Sequence, residues 1–410
     1  MSANLSTTFD DKNSETSTLT SPTLVLNCGS SSIKYALISD DNSTRITGLA
    51  ENLGLDTARI KHTTLSGEKL EIPISGGRHQ LALQKILELL EQYHFIAVGH
   101  RVVHGGREYS EAVRVDDHVL DEVKRLKILA PLHNPAHALG IEAVQAIYPD
   151  IPQVVVFDTA FHQTMPPVAF RYPIPKALYE EHRIRRYGFH GTSHAYVSER
   201  ASEITEAKGP HGWLTAHLGN GCSATAIYDG KSLDTSMGLT PLEGLMMGTR
   251  SGDVDPSLHI HLKRQLGMSL EEVDTMLNSE SGLLGISGLS NDLRTVEQAA
   301  NEGHADAKLA IEMFCYRVGK YLASLSCALP EFTGIVFTGG IGENSVTTRT
   351  SILEVMRHFG IKVNADKNAE LYGGQEGSFH AEGSSIELWV IPTDEECRIA
   401  QETRQALNLV

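Results

Sequence analysis

Apolar positions along the chain follow two different periods. From Thr23 the run TLVLN, the turn CGSSS and the run IKYALIS read as two strands joined by a glycine–serine turn. Residues 81–93 (LALQKILELLEQY) and 119–130 (VLDEVKRLKILA) instead bring apolar side chains back at helical spacing, and a third helix begins with Pro135 in its first turn. Between and after them lie IAVGHRVV at 96–103 and QVVVFD at 153–158, short β-branched runs that end in polar residues. The second half repeats the scheme. Residues 213–228 (WLTAHLGNGCSATAIY) predict another hairpin, helices follow at 269–278 and about 304–329, and the strand GIVF runs into TGGIGENS at 338–345. A last helix starts near Thr393, where Thr393 and Glu396 have the T-x-x-E spacing of a capping box, leaving Glu395 without a structural duty. Strands alternating with helices predict α/β sheets with their chemistry at the strand ends. Two hairpins with similar turns, about 190 residues apart, suggest two related domains facing each other.

Composition narrows the function. The chain has 410 residues, 41% hydrophobic and 21% charged, enough for two or three domains with their own cores. Residues 1–21 are nearly empty of apolar side chains and are expected to be a disordered tail. A formal net charge of −16 repels polyanions, which speaks against nucleic acid and anionic membranes as partners. Neither a signal sequence nor an apolar span of bilayer length is apparent, so a cytoplasmic protein is expected. Cys28, Cys222, Cys315, Cys327 and Cys397 are scattered and never spaced Cys-x-x-Cys, which predicts no disulfide framework and no thiolate zinc site.

Three glycine-containing turns follow apolar strands: 27–32 (NCGSSS), 217–221 (HLGNG) and 339–343 (GGIGE). Glycine lets backbone N–H groups approach phosphate oxygens, so together they favour a nucleotide, although neither a P-loop nor a dinucleotide fingerprint is present. Lys34, on the strand face shared with Ser32, is either an exposed lysine or a phosphate contact. Arg101 and His104, His133, Asp158 and His162, His190 and His194, and Arg250 and Asp253 all adjoin apolar runs, as side chains opening into a cleft would. His190 and His194 lack the glutamate of a zinc protease, and no G-x-S-x-G elbow supports a serine hydrolase. The guanidinium forks of Arg101 and Arg250 suit anions. Glu395 could reach a magnesium ion or be a solvated helix-start carboxylate.

The stretches LNCGSSSIK, GHRVVHGG, PLHNP, FDTAFH, RYGFHGTSH, HLGNGCS, DTSMGLTPLEGLMMGTRSGDVDP, SNDLR, FTGGIGENS and PTDEE, in order from residue 26 to 396, closely resemble the acetate kinase family. The resemblance implies two related actin-like ATPase (ribonuclease H-like) α/β domains of the sugar kinase superfamily, with a cleft between them. Residues 22–160 and 394–410 would form the first, and 161–393 the second, which would bind nucleotide and carry a homodimer interface. It implies reversible transfer from ATP to acetate, giving ADP and acetyl phosphate, with Mg²⁺, or Mn²⁺ in its place, held by Asn27 and Glu395. Ser30, Ser32 and Lys34 would lie near the terminal phosphates, and His217, Leu218, Gly219, Asn220, Gly221, Asp292, Leu293, Arg294, Gly339, Gly340, Ile341, Gly342 and Glu343 around the rest of the nucleotide. Arg101 would bind the carboxylate, and Val103, Leu132, Phe189 and Pro241 would surround its methyl group. Asp158, His190, Arg250 and His133 would complete the catalytic set, with Asp158 expected to orient a partner rather than act as a base. Propionate or butyrate kinases of the family are the nearest alternative, and a nucleotide-gated binding protein on the same fold a remote one.

Overall fold

The computed structural model describes residues 19–29, 31–43, 45–128 and 134–409. Ser30, Leu132, His133 and residues 1–18 of the expected tail lie outside them. The first sheet has eight strands: β1 Thr23–Cys28, β2 Ile33–Ile38, β3 Arg45–Glu51, β4 Arg59–Thr63, β5 Lys69–Pro73, β6 Ala97–Val102, β7 Val113–Arg114 and β8 Gln153–Phe157, in the order β5-β4-β3-β2-β1-β6-β8-β7. The second has six: β9 Gly212–Leu218, β10 Cys222–Tyr228, β11 Lys231–Thr235, β12 Gly334–Thr338, β13 Gly377–Ser378 and β14 Glu387–Val390, ordered β11-β10-β9-β12-β14-β13.

Both sheets use one plan. An antiparallel meander (β1-β2-β3 or β9-β10-β11) is extended on the other side of its first strand by two parallel crossover strands, β6 and β8 or β12 and β14. The period-2 pattern of β1 explains how its sheet is covered on both faces. Leu24, Leu26 and Cys28 enter a core with Ile86 and Leu90 of the helix His79–Leu90. Val25 points the other way, packing with Ile399 and Ala400 of the C-terminal helix Glu395–Ala406. That helix comes so close to β6 that a β-carbon on Gly99 would stand 2.3 Å from Thr403 Oγ1. In the second sheet Leu214, Ala216 and Leu218 pack with Phe314, Val318 and Leu322 of the helix Ala305–Leu325, while Trp213 and Val336 face Val197 and Ala201 of the helix Gly191–Ile204.

Two readings of local structure need correction. The third glycine turn is a short helix, Gly339–Asn344, because the positive φ of Gly339 (75°) lets the chain turn directly off β12 into helical conformation. The last helix is capped by Asp394, whose side chain accepts from the Cys397 N–H, rather than by a Thr393–Glu396 box. Among the described residues no helix is long and apolar enough to cross a membrane.

Candidate active site

The ends of β1, β6 and β8 put three side chains together. Arg101, on β6, donates through Nε and Nη2 to the two carboxylate oxygens of Asp158 (2.8 and 2.6 Å) and through Nη1 to Asn27 Oδ1 (3.2 Å). Glu395, in the first turn of the C-terminal helix, brings Oε2 to 3.8 Å from Arg101 Nε. Burial opposes the charge on Arg101, but the carboxylates of Asp158, Glu395 and Glu396 outweigh it and hold its pKa above the ordinary value. Burial pushes Asp158 up, to about 6, against the lowering effect of Arg101. Lys34 reaches Glu396 Oε1 at 2.8 Å, which gives Glu396 a partner the capping-box reading had missed. The glycine–serine turn is tied to its surroundings by His79, whose Nε2 lies 2.7 Å from Gly29 O, a residue that no motif had singled out.

A second group comes from the other sheet. His190 stands just before the helix Gly191–Ile204 in left-handed conformation (φ 55°). Its ring stacks on that of His217, with centroids 4.3 Å apart, and its Nδ1 lies 2.8 Å from Ser223 Oγ. His217 and Ser223 face each other across the β9–β10 ladder, so the hairpin register places both under the His190 ring. Arg250 donates through Nη1 to Pro241 O at 3.1 Å and, among the described residues, makes no ion pair. A β-carbon on Gly221 would meet Arg250 Nη1 and His190 Nε2, each at 3.5 Å, so the bare glycine keeps open a point on which two donors converge. Gly191 joins the two groups. Its N–H donates to Asp158 O at 3.0 Å, and any side chain there would collide with that oxygen.

A cavity of about 630 Å³ opens beside the second group. Gly219, Asn220, Asp292, Leu293, Arg294, Gly340 and Ile341 come together in its lining, with Asn291, Glu297, Asn344 and Ser345, which sequence reasoning passed over. Asn291 lies inside the SNDLR stretch and donates to Asn220 Oδ1 at 2.9 Å. Glu297 accepts from the hydroxyls of Ser345, Thr347 and Thr348, a convergence across about fifty residues that leaves no trace in spacing. Leu218, Gly339 and Gly342 are buried in the wall rather than lining the cavity. Glu343 turns its carboxylate inward to the N–H groups of Gly339 and Thr393, so it braces the short helix instead of facing the cavity. Val103 and Phe189 belong to one buried cluster near Arg101 and His190 in sequence. Of the other cleft candidates, Asp253 accepts from Gly244 N–H and Tyr321, and His162 lies 2.9 Å from both Ser232 Oγ and Phe189 O, so both brace the fold.

Two sheets built on one plan, with arginines and histidines gathered at their strand ends, give the chain the actin-like ATPase fold. Residues 22–401 match the model of the Acetokinase family. A protein named acetate kinase from Pseudomonas aeruginosa (strain LESB58) is 52% identical over 390 residues, covering 94% of this chain and 98% of that one. Among solved structures, acetate kinase of Porphyromonas gingivalis has a TM-score of 0.88 at 43% identity, covering 94% of this chain and 100% of that one. A propionate kinase from Francisella tularensis subsp. tularensis SCHU S4 has a TM-score of 0.89 at 46% identity, covering 94% and 99%. The chain belongs to the acetokinase family and is a kinase that transfers a phosphoryl group to a carboxyl acceptor.

Proposed function

We propose that the chain is an acetate kinase, making acetyl phosphate and ADP from acetate and ATP and running in reverse. The observation that carries the reading is the pairing of Arg101, fixed by Asp158, with Arg250, which is half-buried and makes no ion pair among the described residues, at the meeting of the two sheets. A guanidinium without a carboxylate partner is costly to bury unless an anion completes it. Burial lowers the pKa of Arg250 accordingly. In this reading residues 22–160 with 394–410 form one domain and 161–393 the other.

Acetate is already ionised at neutral pH, so it attacks without a base. One carboxylate oxygen forms a bond to the γ-phosphorus, the bond from that phosphorus to the β,γ-bridging oxygen breaks, and ADP leaves with the electron pair. Arg101 aims the carboxylate. Asp158 and Asn27 take three of its five N–H groups, which leaves one on Nη1 and one on Nη2 for the acceptor. Val103, Phe189 and Pro241, with Leu132, enclose the methyl group. Arg250 and His190 stabilise charge on the equatorial oxygens, His133 is assigned to the same catalytic set, and closure around the cleft excludes water. Ser30, Ser32 and Lys34 approach the terminal phosphates. His217 and Gly221, with the residues lining the 630 Å³ cavity, hold the rest of the nucleotide. Asn27 and Glu395 offer only oxygen ligands within reach of one side chain, which suits Mg²⁺ (or Mn²⁺) that takes its other ligands from water and phosphate. When bound, the ion would neutralise phosphate charge. Support for a homodimer comes from the second domain, where the helix Leu258–Leu266 buries none of its residues and leaves Leu266 69% exposed. A cytoplasmic setting agrees with its soluble substrates.

The propionate kinase likeness makes the acceptor the open choice, because one methylene is worth only about 1–3 kcal/mol. Trapping the acyl phosphate as a hydroxamate, with ATP and each of acetate, propionate and butyrate, should give the highest kcat/KM with acetate. A higher value for propionate would reassign the substrate. In the same assay Arg250→Ala should lose at least about a hundredfold in kcat/KM, and near-normal turnover would remove Arg250 from the site.

A further inference from the structure

The mechanism uses His190 but not the polar chain behind it. Ser223 Oγ lies 2.8 Å from His190 Nδ1 and 2.7 Å from His194 Nε2, and His194 Nδ1 lies 2.7 Å from Thr215 Oγ1. His194, Ser223 and Thr215 are wholly buried. The spacing of four between His190 and His194, which in sequence raised a shared metal, is explained by the shared serine.

A hydroxyl has one proton to give, and a neutral imidazole has one N–H. If Ser223 accepted from both rings, its own buried proton would have no partner among the described residues, so two polarities remain that make all three bonds with the serine proton used. In one, Thr215 donates to His194 Nδ1, His194 donates through Nε2 to Ser223, and Ser223 donates to His190 Nδ1. The proton of His190 then sits on Nε2. In the other every donor is reversed, and Nε2 is a bare lone pair. The reversed chain must also place the Thr215 proton, and the carbonyl in reach, Thr225 O, is 3.5 Å away, at the limit of a hydrogen bond. Nε2 is the atom that converges with Arg250 Nη1 on the space above Gly221. A lone pair there would repel a phosphoryl oxygen, whereas an N–H would bind it.

We propose that Thr215, His194 and Ser223 form a polarised relay that fixes His190 as the Nε2–H tautomer, presenting a neutral donor beside Arg250 to the transferring phosphoryl group. The inference rests on the placement of His190 at that group. Burial, together with the cationic neighbours Arg101 and Arg250 and the rings of His217 and His194, holds His190 well below the ordinary histidine pKa, so its donor comes from tautomer rather than charge. Ser193 Oγ, 2.8 Å from His217 Nδ1, fixes the stacked ring on the other side. Ser223 and His194 are thus positioning residues, and only His190 touches the substrate.

His190→Ala tests the premise and should lose about a hundredfold or more in kcat. Ser223→Ala tests the relay, with kcat expected to fall about tenfold while KM for ATP and for acetate moves less than threefold. In a His190→Gln background, whose amide has no tautomers, Ser223→Ala should cost nothing further. Two-bond ¹H–¹⁵N couplings in histidine-labelled wild type, with ADP, acetate and aluminium fluoride bound, should report Nε2–H at the resonance that His190→Gln removes. An active His190→Ala would overturn the premise. A crippled His190→Ala beside an unimpaired Ser223→Ala, or an Nδ1–H or doubly protonated His190 in the complex, would overturn the relay alone.

Discussion

At the scale of single residues, the arrangement around Asp158 bears on what a second carboxylate does near an anionic acceptor. Its two oxygens are both taken by Arg101, in the two-point geometry that fixes a guanidinium in direction as well as place. A general base has to face its proton, whereas this carboxylate faces the residue that binds the acceptor. Asp158→Asn should therefore act mainly on binding, raising KM for acetate by at least tenfold and lowering kcat less, a split read directly from initial rates. A fall in kcat at unchanged KM would restore the base reading. The same pair sets an acid limb. With its folded pKa raised to about 6, Asp158 is ionised above that pH and loses its grip on Arg101 below it. Wild-type kcat/KM for acetate should fall as pH drops through about 6, and Asp158→Asn should lack that limb. The limb alone does not separate base from orienter, so the KM split carries the decision.

At the scale of elements, the nucleotide side depends on a helix too short to hold itself. Gly339–Asn344 has six residues, and its end carbonyls are met by Arg349, which donates to Gly342 O at 2.9 Å and Glu343 O at 3.1 Å. The other edge of the same guanidinium donates to Asn368 Oδ1, Asn368 O and Leu371 O. Arg349 is wholly buried, so replacing it takes the donor from five oxygens, of which Asn368 O still accepts from Leu371 N–H, at about 1–3 kcal/mol for each one left bare, reduced by relaxation. Arg349→Met should cost at least about 3 kcal/mol in urea unfolding, and a loss below about 1 kcal/mol would mean the carbonyls find other donors. No sequence signal marks Arg349, because four of its five acceptors are backbone oxygens, which any residue type supplies. That contrast explains what was legible. Strands β1, β2, β6, β8, β9, β10 and β12 were readable because their apolar runs are buried on both faces, and the amphipathic helices because their period is strong. Strands β3 to β5 were not, since RIKHT is largely polar, KLEIP is short and mostly exposed, and they gain their place by pairing with β2 and one another. In the site, residues embedded in glycine-rich stretches stood out. Glu297, His79 and the relay serine did not, because their roles exist only after distant segments meet.

At the scale of the whole molecule, the net charge of −16 excludes polyanions, yet both substrates are anions. Binding must then be local, and the cleft cations meet this demand unequally. Lys34 and Arg101 are already paired with carboxylates, which leaves Arg250 as the described cleft arginine without one. A site held electrically quiet in this way also has to keep its histidines neutral, and several are buried deeply enough to govern stability. Burial lowers His100, His104 and His162 each to about 4, from an ordinary 6.5. In the unfolded chain they take up protons as pH falls below 6.5, while in the folded chain they do so only near 4. Between those values the unfolded state binds more protons, so stability falls as pH falls. Asp158 works in the opposite sense, since its raised pKa makes the folded state bind a proton first between about 6 and 3.8. Three histidines against one carboxylate leave about two protons net, a slope of about 3 kcal/mol per pH unit near pH 5. Unfolding free energies from urea titrations at pH 7, 6 and 5 should drop by about 2 kcal/mol over the first step and about 2.5 kcal/mol over the second, summed over these four groups. A flat profile down to pH 5 would mean that these histidines reach solvent or a carboxylate when protonated, and the neutral interior assigned to them, His190 included, would have to be abandoned.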